Sequence, residues 1–242
     1  MRRHRGAAPE DSLFRDPERL RRLREAVGDL SWLLRRGYSP KAASELVGNR
    51  YQLKERERLA LSHASWNRNR REGRVLPEEL RGAEICIDGF NLLITLETAL
   101  GGGVLIRGID GRIRDLANVH GHYSLRIETE EALRLAIREL GRLGVLRARW
   151  YFDRPVSNSG RLAALVRRLG GEEGVATEAE AQDGVDRLLK SCRSVVVTAD
   201  AAILDSGVRW FDLASYLIAD AIPDAWVVDL GPSFRDAHSE RL

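Results

Sequence analysis

Cysteine, methionine and long apolar runs are scarce in this sequence. Only two of its 242 residues are cysteine and one is methionine. No apolar run approaches the roughly 18 residues that a membrane-spanning helix needs, so we expect no membrane association. The basic N-terminus lacks the apolar stretch of a secretory signal. We therefore expect a cytoplasmic protein.

The two cysteines, Cys86 and Cys192, each lie in or beside an apolar, strand-like run. A zinc site would need more ligands, and no group of histidines and cysteines has zinc spacing. We expect two buried free thiols, as is usual in the reducing cytosol. His120 and His122 lie in a glycine-flanked loop and are candidates for contact with a substrate instead.

The motifs of several common enzyme classes are also missing. Gly101–Gly103 matches neither a Walker motif nor a dinucleotide fingerprint, so ATP and NAD binding have no support. There is no Gly-x-Ser-x-Gly elbow. These absences argue against a nucleotide-cofactor enzyme and against a serine hydrolase of the elbow type.

Charge is divided unevenly along the chain. Residues 1–80 contain 19 Lys and Arg against 12 Asp and Glu, a net charge of +7. Residues 81–242 contain 20 against 24, a net charge of −4. A basic segment joined to an acidic one that concentrates aspartate is typical of a nucleic-acid grip beside a metal-dependent centre.

Residues 12–72 are predicted to form a small, basic, all-helical domain. Pro17 and Pro40 each follow a capping residue and start a helix, and a third helix covers about 53–66. A short second helix before a charged third one is compatible with a helix-turn-helix. We favour phosphate binding without sequence preference, although a merely solvated charged face stays an alternative. The candidate basic residues are Arg50, Lys54, Arg56, Arg68, Arg70 and Arg71.

Residues 82–242 are predicted to form an α/β domain with a largely parallel sheet, because strand-like and helical segments alternate there. Residues 106–123 are predicted to be an irregular insertion or a hairpin. The predicted strands are Glu84–Asp88, Arg147–Asp153, Gly174–Glu178, Ser194–Thr198 and Ala225–Asp229. The predicted helices are Glu128–Leu143, Arg161–Leu169, Asp183–Ser191 and Phe211–Ala219, while Phe90–Leu100 is predicted to be helical or extended.

Three of the predicted strands finish in a carboxylate, at Asp88, Asp153 and Asp200. The carboxyl ends of parallel strands share one edge of the sheet, where ligands bind. Asp183 and Asp186 lie at the start of a short predicted helix, and we expect their side chains to reach the same crevice. Crowded carboxylates repel unless a cation neutralises them, and oxygen ligands select Mg²⁺ or Mn²⁺. This arrangement predicts metal-dependent hydrolysis of phosphodiesters.

Each aspartate also has a simpler explanation that the sequence leaves open. Asp88 suits a turn at the end of a strand, Asp153 an exposed loop, and Asp200 the N-cap of the next helix. Asp183 and Asp186 are ordinary charges for the start of a helix, where they complement its dipole.

A second candidate site is the small polar segment before the predicted helix at Arg161. Small side chains ahead of a helix expose backbone N–H groups, and the helix dipole favours an anion there. The candidates for binding a substrate phosphate are Ser157, Asn158, Ser159 and Arg161, with a plain helix cap as the alternative.

Four short motifs together resemble the PIN-like nucleases of the NYN branch. They are IDGFNLL at 87–93, YFD at 151–153, D-x-x-D-x-x-L at 183–189 and VVTAD at 196–200. The resemblance covers about residues 83–230, and the whole chain resembles a two-part prokaryotic family of this class. It implies a three-layer α/β/α sandwich with a central, mostly parallel sheet, preceded by a small all-helical domain.

The resemblance also implies a metal-dependent endoribonuclease with RNA as its partner. It implies that Asn91 is the polar RNA-contacting residue beside the first metal ligand. The implied catalytic residues are Asp88, Asp153, Asp186 and Asp200. The implied ligands of Mg²⁺ or Mn²⁺ are Asp88, Asp183, Asp186 and Asp200.

Two other functions stay open on the sequence alone. One is a non-catalytic RNA-binding or adaptor protein that keeps the PIN-like fold. The other is a DNA-directed nuclease or regulator that uses residues 38–66 as a helix-turn-helix. The oligomeric state is also open, a homodimer included.

Overall fold

The computed structural model describes residues 3–65, 72–117 and 121–231. These residues form two compact units, which we call the larger and the smaller unit. Of the described residues, the larger unit holds 3–6, 72–103, 117 and 121–225, and the smaller unit holds 7–65, 104–116 and 226–231.

Helices and strands alternate through most of the described chain. In chain order the helices are α1 (Pro17–Arg35), α2 (Pro40–Arg50), α3 (Glu55–Ala64), α4 (Gly89–Leu100), α5 (Thr129–Arg142), α6 (Ser159–Glu173), α7 (Val185–Lys190), α8 (Ala201–Leu204) and α9 (Leu213–Ala221). The strands are β1 (Glu84–Asp88), β2 (Leu105–Arg107), β3 (Ile113–Asp115), β4 (Arg147–Asp153), β5 (Thr177–Gln182), β6 (Val195–Val197), β7 (Trp210–Phe211) and β8 (Val227–Asp229). None of the described helices combines the length and hydropathy needed to cross a bilayer.

The larger unit is built on a five-stranded sheet in the order β5-β4-β1-β6-β7. All of its neighbouring strands run parallel. This confirms the predicted α/β class with a mostly parallel sheet. The chain first adds β4 and β5 on one side of β1 and then adds β6 and β7 on the other. The winding therefore reverses between β1 and β6, the position where open α/β sheets bind ligands.

Helices cover both faces of this sheet and make the larger unit three-layered. On one face, α7 and α8 pack against Cys86 and Val196 in a shared apolar cluster. Because side chains alternate along a strand, Ile87 and its register partner Trp150 point to the opposite face. There the Phe90 ring of α4 meets Phe152 edge-on at 5.3 Å between centroids. Helices α5, α6 and α9 extend that layer.

Buried polar groups attach the N-terminal segment to the larger unit. The fully buried carboxylate of Glu97 in α4 accepts hydrogen bonds from Arg5 Nε at 2.7 Å and from the hydroxyls of Tyr123 and Thr129. Burial raises the pKa of Glu97, and the nearby Arg5 charge opposes that rise. Each polar group here has a partner, as buried groups require.

The smaller unit joins α1, α2 and α3 to a second sheet in the order β3-β2-β8. Strands β2 and β3 form an antiparallel hairpin, which confirms the hairpin alternative for the first part of the segment predicted at 106–123. The predicted strand at Ala225–Asp229 exists as β8, but it pairs with β2 instead of joining the central sheet.

The division of the chain therefore differs from the predicted domains at 12–72 and 82–242. Leu61 of α3, Ile106 of β2 and Val228 of β8 are buried in one apolar cluster. The helices thus bury part of their apolar surface against segments that come much later in the sequence. The all-helical segment is one part of a mixed unit.

Some element boundaries also differ from the predictions. Helix α6 extends past its predicted end at Leu169 to Glu173. Gly174 then terminates it by adopting the left-handed conformation, at φ 67°. Strand β5 consequently starts at Thr177, after the predicted start at Gly174. Trp210 and Phe211 form the short β7 strand, so the last helix of the larger unit begins at Leu213.

Arg56, a predicted phosphate contact, has a structural role in the smaller unit. Its Nε donates to Asp11 at 2.6 Å and its Nη1 donates to the Leu116 carbonyl at 2.6 Å. Asp11 is buried and also accepts from the backbone N–H of Ala8. The Arg56 guanidinium therefore neutralises a buried carboxylate.

We expect Arg56→Ala to lower the free energy of unfolding by about 3–5 kcal/mol, because it leaves the buried Asp11 carboxylate without its cation. Urea unfolding followed by circular dichroism measures this change. The matched control is Arg50→Ala, since that side chain is 73% exposed and lies 3.9 Å from Asp29. The control should unfold almost as the parent does, and equal effects of the two substitutions would contradict the role given to Arg56.

Candidate functional site

Asp88 ends β1 at the point where the winding of the central sheet reverses, and it is 8% exposed. Its Oδ2 accepts a hydrogen bond from the Thr198 hydroxyl at 3.0 Å. Its Oδ1 accepts from the Asn91 backbone N–H at 3.4 Å and so caps α4. The carboxylate is thus held by groups from both sides of the reversal point.

The sequence around Asp88 explains this position. Cys86 pairs with Val196 in register, so Thr198, two residues further along, comes beside Asp88 on the same face of the sheet. Gly89 then allows α4 to start immediately, because a Cβ at this position would lie 2.6 Å from the Phe152 ring. The Asp-Gly pair therefore serves close packing as well as the turn.

Asp200 lies across the reversal point from Asp88. Its backbone N–H donates to the Thr198 hydroxyl oxygen at 3.0 Å. Its Oδ1 accepts from Ala202 N at 2.7 Å and Ile203 N at 3.1 Å, so it caps α8, as the simpler explanation predicted. Its Oδ2 accepts no hydrogen bond in the part of the chain that the structure describes, so one carboxylate oxygen is still available to a ligand.

Asn91 fastens the two strand ends together. Its side-chain Oδ1 accepts a hydrogen bond from the Ala199 backbone N–H at 2.9 Å, and its own backbone N–H donates to the N-cap carboxylate of Asp88. The Asn91 side chain therefore connects the first turn of α4 to the segment after β6. This contact gives Asn91 a positioning role next to the first predicted ligand.

The four predicted catalytic aspartates interact electrostatically. Burial, with the charges of Asp200 and Asp153, raises the pKa of Asp88 to about 7 against the hydrogen bonds from Thr198 and Asn91. Burial and the charge of Asp186 raise the pKa of Asp153. The aspartates thus form a series of like charges, and a positive ligand would relieve their repulsion. They are Asp200, Asp88, Asp153 and Asp186.

Asp183 differs from these four. It is exposed, and its Oδ2 lies 3.4 Å from Arg154 Nε. Of the two acids at the start of the α7 segment, only Asp186 is coupled to Asp153. Within residues 3–65, 72–117 and 121–231, no three His, Cys, Asp or Glu side chains are grouped closely enough to hold a metal ion together.

The polar segment before α6 organises a neighbouring loop. The Ser157 hydroxyl accepts from the Tyr123 N–H and donates to the Tyr123 carbonyl, both at 2.9 Å. The Asn158 amide donates to the same carbonyl at 2.7 Å. Asn158 is the N-cap residue of α6 at φ 66°, without a side-chain cap bond. These two side chains therefore hold residues 121–123.

The remaining polar candidates in this region are Ser159, Arg161 and His122. The Ser159 hydroxyl donates to the Arg154 carbonyl at 3.3 Å. Arg161 is exposed in the first turn of α6. His122 is exposed, with its Nδ1 3.3 Å from the Ser157 hydroxyl. Of this group, Arg161 is the side chain best placed to meet an anion from solvent.

In the smaller unit, Arg50 and Lys54 are exposed, and Lys54 is the N-cap residue of α3. Both side chains can meet a phosphate from solvent. The other predicted basic candidates and one histidine lie outside the described residues. They are Arg68, Arg70, Arg71 and His120.

Thr198 is a residue of the candidate site that the sequence analysis missed. Its hydroxyl donates to Asp88 and accepts from the N–H of Asp200, and its side chain is 3% exposed. The signal was present in VVTAD, where alternation from the buried Val196 places Thr198 on the face of Asp88. Nothing in the residue type itself separates such a threonine from an ordinary strand residue.

We expect Asp88→Asn to flatten the dependence of stability on pH. The pKa of Asp88 is about 7 in the folded protein, well above the ordinary range of an aspartate, so the folded state binds the proton more tightly. Parental stability should therefore fall as pH rises from 4 to 7, by up to about 4 kcal/mol. Urea unfolding between pH 4 and 8 without divalent ions measures this.

The matched control for this experiment is Asp183→Asn, because Asp183 is exposed on the same edge of the sheet. The control should keep the pH dependence of the parent. Asp88→Asn should be the more stable protein above pH 7. Parallel pH curves for parent and Asp88→Asn would contradict the raised pKa.

Comparison with protein-family models gives two matches. Residues 77–216 match a family described as "Domain of unknown function (DUF5616)". Residues 22–75 match a family described as "Protein of unknown function (DUF434)". The DUF434 match ends at residue 75 and the DUF5616 match begins at residue 77, between the domains predicted at 12–72 and 82–242.

A known protein is similar to most of this chain. It is a protein of Methanocaldococcus jannaschii described as "Uncharacterized protein MJ0935". It is 31% identical over 189 residues, which cover 76% of this chain and 89% of the relative. No solved structure matches the chain significantly. The chain belongs to the family described as "Domain of unknown function (DUF5616)" and carries the DUF434 segment ahead of it.

Proposed function

We propose that this protein is a metal-dependent ribonuclease that hydrolyses RNA phosphodiester bonds beside the ends of β1 and β6. The observation that carries the proposal is the buried Asp88 carboxylate at the reversal point of the sheet, which Thr198 connects to Asp200 through two hydrogen bonds. Burial and the charges of Asp200 and Asp153 raise its pKa. Perturbed carboxylates of this kind are concentrated at functional sites. The PIN-like resemblance of the surrounding motifs supports the same function.

The residues present fit Mg²⁺ or Mn²⁺. Mg²⁺ is usually held through one or two carboxylates and keeps several water ligands, so it does not need three grouped acids. Asp88 and Asp200 would hold the ion, with Asp153 and Asp186 beyond them. The polar atoms around the pair are oxygens of Thr198 and Asn91, which suit a hard ion. When bound, the ion would supply charge neutralisation and Lewis acidity at a phosphate.

The other groups of the site orient the acids and move a proton. Thr198 fixes the Asp88 carboxylate, and Asn91 holds the segment that carries Asp200. Asp153, whose pKa is raised by burial and by Asp186, would accept a proton from the attacking water. In this proposal Asp183, paired with Arg154, is left out of the ligand set implied by the resemblance.

RNA would be held mainly through its phosphates. Arg50 and Lys54 are exposed in the smaller unit, and Arg161 is exposed in the larger unit. Arginine and lysine contacts of this type bind the backbone without reading the sequence, and their contribution decreases with salt. Arg56 has no part in this contact, because its guanidinium is used by Asp11.

A second function, RNA binding without cleavage, is favoured by one set of observations. No group of three potential metal ligands is present among the described residues, and Asp200 is partly used as a helix cap. A protein that kept the fold and lost the chemistry would bind RNA with the same basic residues. The two functions differ in whether a metal binds and whether RNA is cut.

We expect the full chain to cleave a mixed pool of fluorescent single-stranded RNA in Mn²⁺ or Mg²⁺. Asp88→Asn and Asp200→Asn should each lower the rate by roughly 100-fold or more, because the metal would lose a carboxylate ligand. Gel analysis of initial rates measures this. Asp183→Asn is the matched control and should keep most of the rate.

Cleavage that survives EDTA or both substitutions would overturn the nuclease proposal. RNA binding by the parent without any cleavage would support the non-catalytic alternative. Comparing the binding of RNA and duplex DNA at several salt concentrations would then separate an RNA-binding protein from a DNA-directed regulator.

Metal binding can be tested apart from activity. We expect Mn²⁺ to raise the Tm of the parent, because a ligand that binds only the folded state stabilises it. Asp88→Asn should abolish the shift, and Asp183→Asn should preserve it. A shift of equal size in the parent and Asp88→Asn would show that the ion binds elsewhere.

A further inference from the structure

The two cysteines of the chain meet in the folded protein. Cys86 lies in β1 and Cys192 follows α7, and 106 positions separate them in the sequence. Their sulfur atoms are 2.6 Å apart and share a hydrogen bond. The sequence analysis expected two buried free thiols and had no reason to pair them.

The pair is asymmetric in its access to solvent. Cys86 is 4% exposed, within an apolar cluster that includes Val185 and Leu189 of α7. Cys192 is half-buried at the margin of that cluster. A reagent from solvent can therefore reach Cys192, while Cys86 lies directly behind it.

The position of the sulfurs suits bond formation. The two atoms are already in contact, as a disulfide requires of its partners. The hydrogen bond with Cys86 lowers the pKa of Cys192, with a smaller contribution from Ser194. Cys192 is therefore the more readily deprotonated of the two thiols, and the thiolate is the form that attacks a disulfide.

We propose that Cys86 and Cys192 are a redox modification site that closes to an intramolecular disulfide, with a low-molecular-weight disulfide of the glutathione class as the oxidant. The Cys192 thiolate attacks one sulfur of the oxidant, forms a mixed disulfide and releases one thiolate. Cys86 then attacks the Cys192 sulfur, gives its proton to the departing thiolate and releases a second thiol. Two cysteines are oxidised and one disulfide is reduced to two thiols.

The bond joins two elements that border the candidate site. Cys86 is two positions before Asp88 in β1, and Cys192 follows the helix that carries Asp186. Closing the disulfide fastens the C-terminal end of α7 to the central strand of the sheet. Control of the candidate site by this bond rests on the proposed function, whereas formation of the bond does not.

The test uses the full chain and oxidised glutathione, followed by alkylation of free thiols and intact-mass measurement. The parent should lose two hydrogens, retain no glutathione and recover both thiols with dithiothreitol. Cys86→Ser should accumulate a stable glutathione adduct on Cys192, because no second thiol resolves it. Cys192→Ser should stay unmodified, because Cys86 is buried.

Three results would overturn the inference. They are a parent with both thiols free after equilibration, a parent that retains the glutathione adduct, and a Cys192→Ser variant that reacts as readily as Cys86→Ser. Circular dichroism verifies that each variant is folded, and Cys86→Ala replaces Cys86→Ser if the buried hydroxyl prevents folding. Since the readout is the mass of the protein, failure of the RNA cleavage assay does not affect it.

Discussion

The arrangement of the candidate site depends on the hydrogen bond between the Thr198 hydroxyl and the Asp88 carboxylate. A buried carboxylate is costly unless hydrogen bonds compensate for lost water, and Thr198 supplies one of them across the reversal point of the sheet. The same hydroxyl oxygen accepts the N–H of Asp200. One side chain therefore sets the position of both acids, and Asn91 reinforces it through Ala199.

Strong local patterns were enough to predict much of the central sheet. Strands β1 and β4 were predicted with their observed bounds, because β1 is a short apolar run, β4 alternates in burial, and both end in aspartate. Alternation of strands with helices indicated parallel pairing. The pairing of β8 with β2 was beyond the sequence, since a strand of three residues carries no signal for the sheet it joins. The mixed core of the smaller unit depends on similarly distant contacts.

Individual site residues were predicted less well, because a residue type does not identify its partner. Positions at or just after strand ends were the basis for grouping Asp88, Asp153 and Asp200, and the charges of Asp153 and Asp200 do act on Asp88. Arg56 is of a residue type that often contacts phosphate, but its guanidinium is hydrogen-bonded to the buried carboxylate of Asp11. The contact between the two cysteines also depends on the folded chain, which brings together two residues that are 106 positions apart in the sequence.

The way the two family segments are interlaced affects how this protein can evolve. The hairpin of β2 and β3 lies within the segment that matches DUF5616, yet Ile106 is buried with α1 and α3 of the preceding segment. Glu97 likewise depends on Arg5, which precedes both matches. Splitting the gene at the junction would uncover apolar surface on both products. We therefore expect selection to keep the two segments together in one polypeptide.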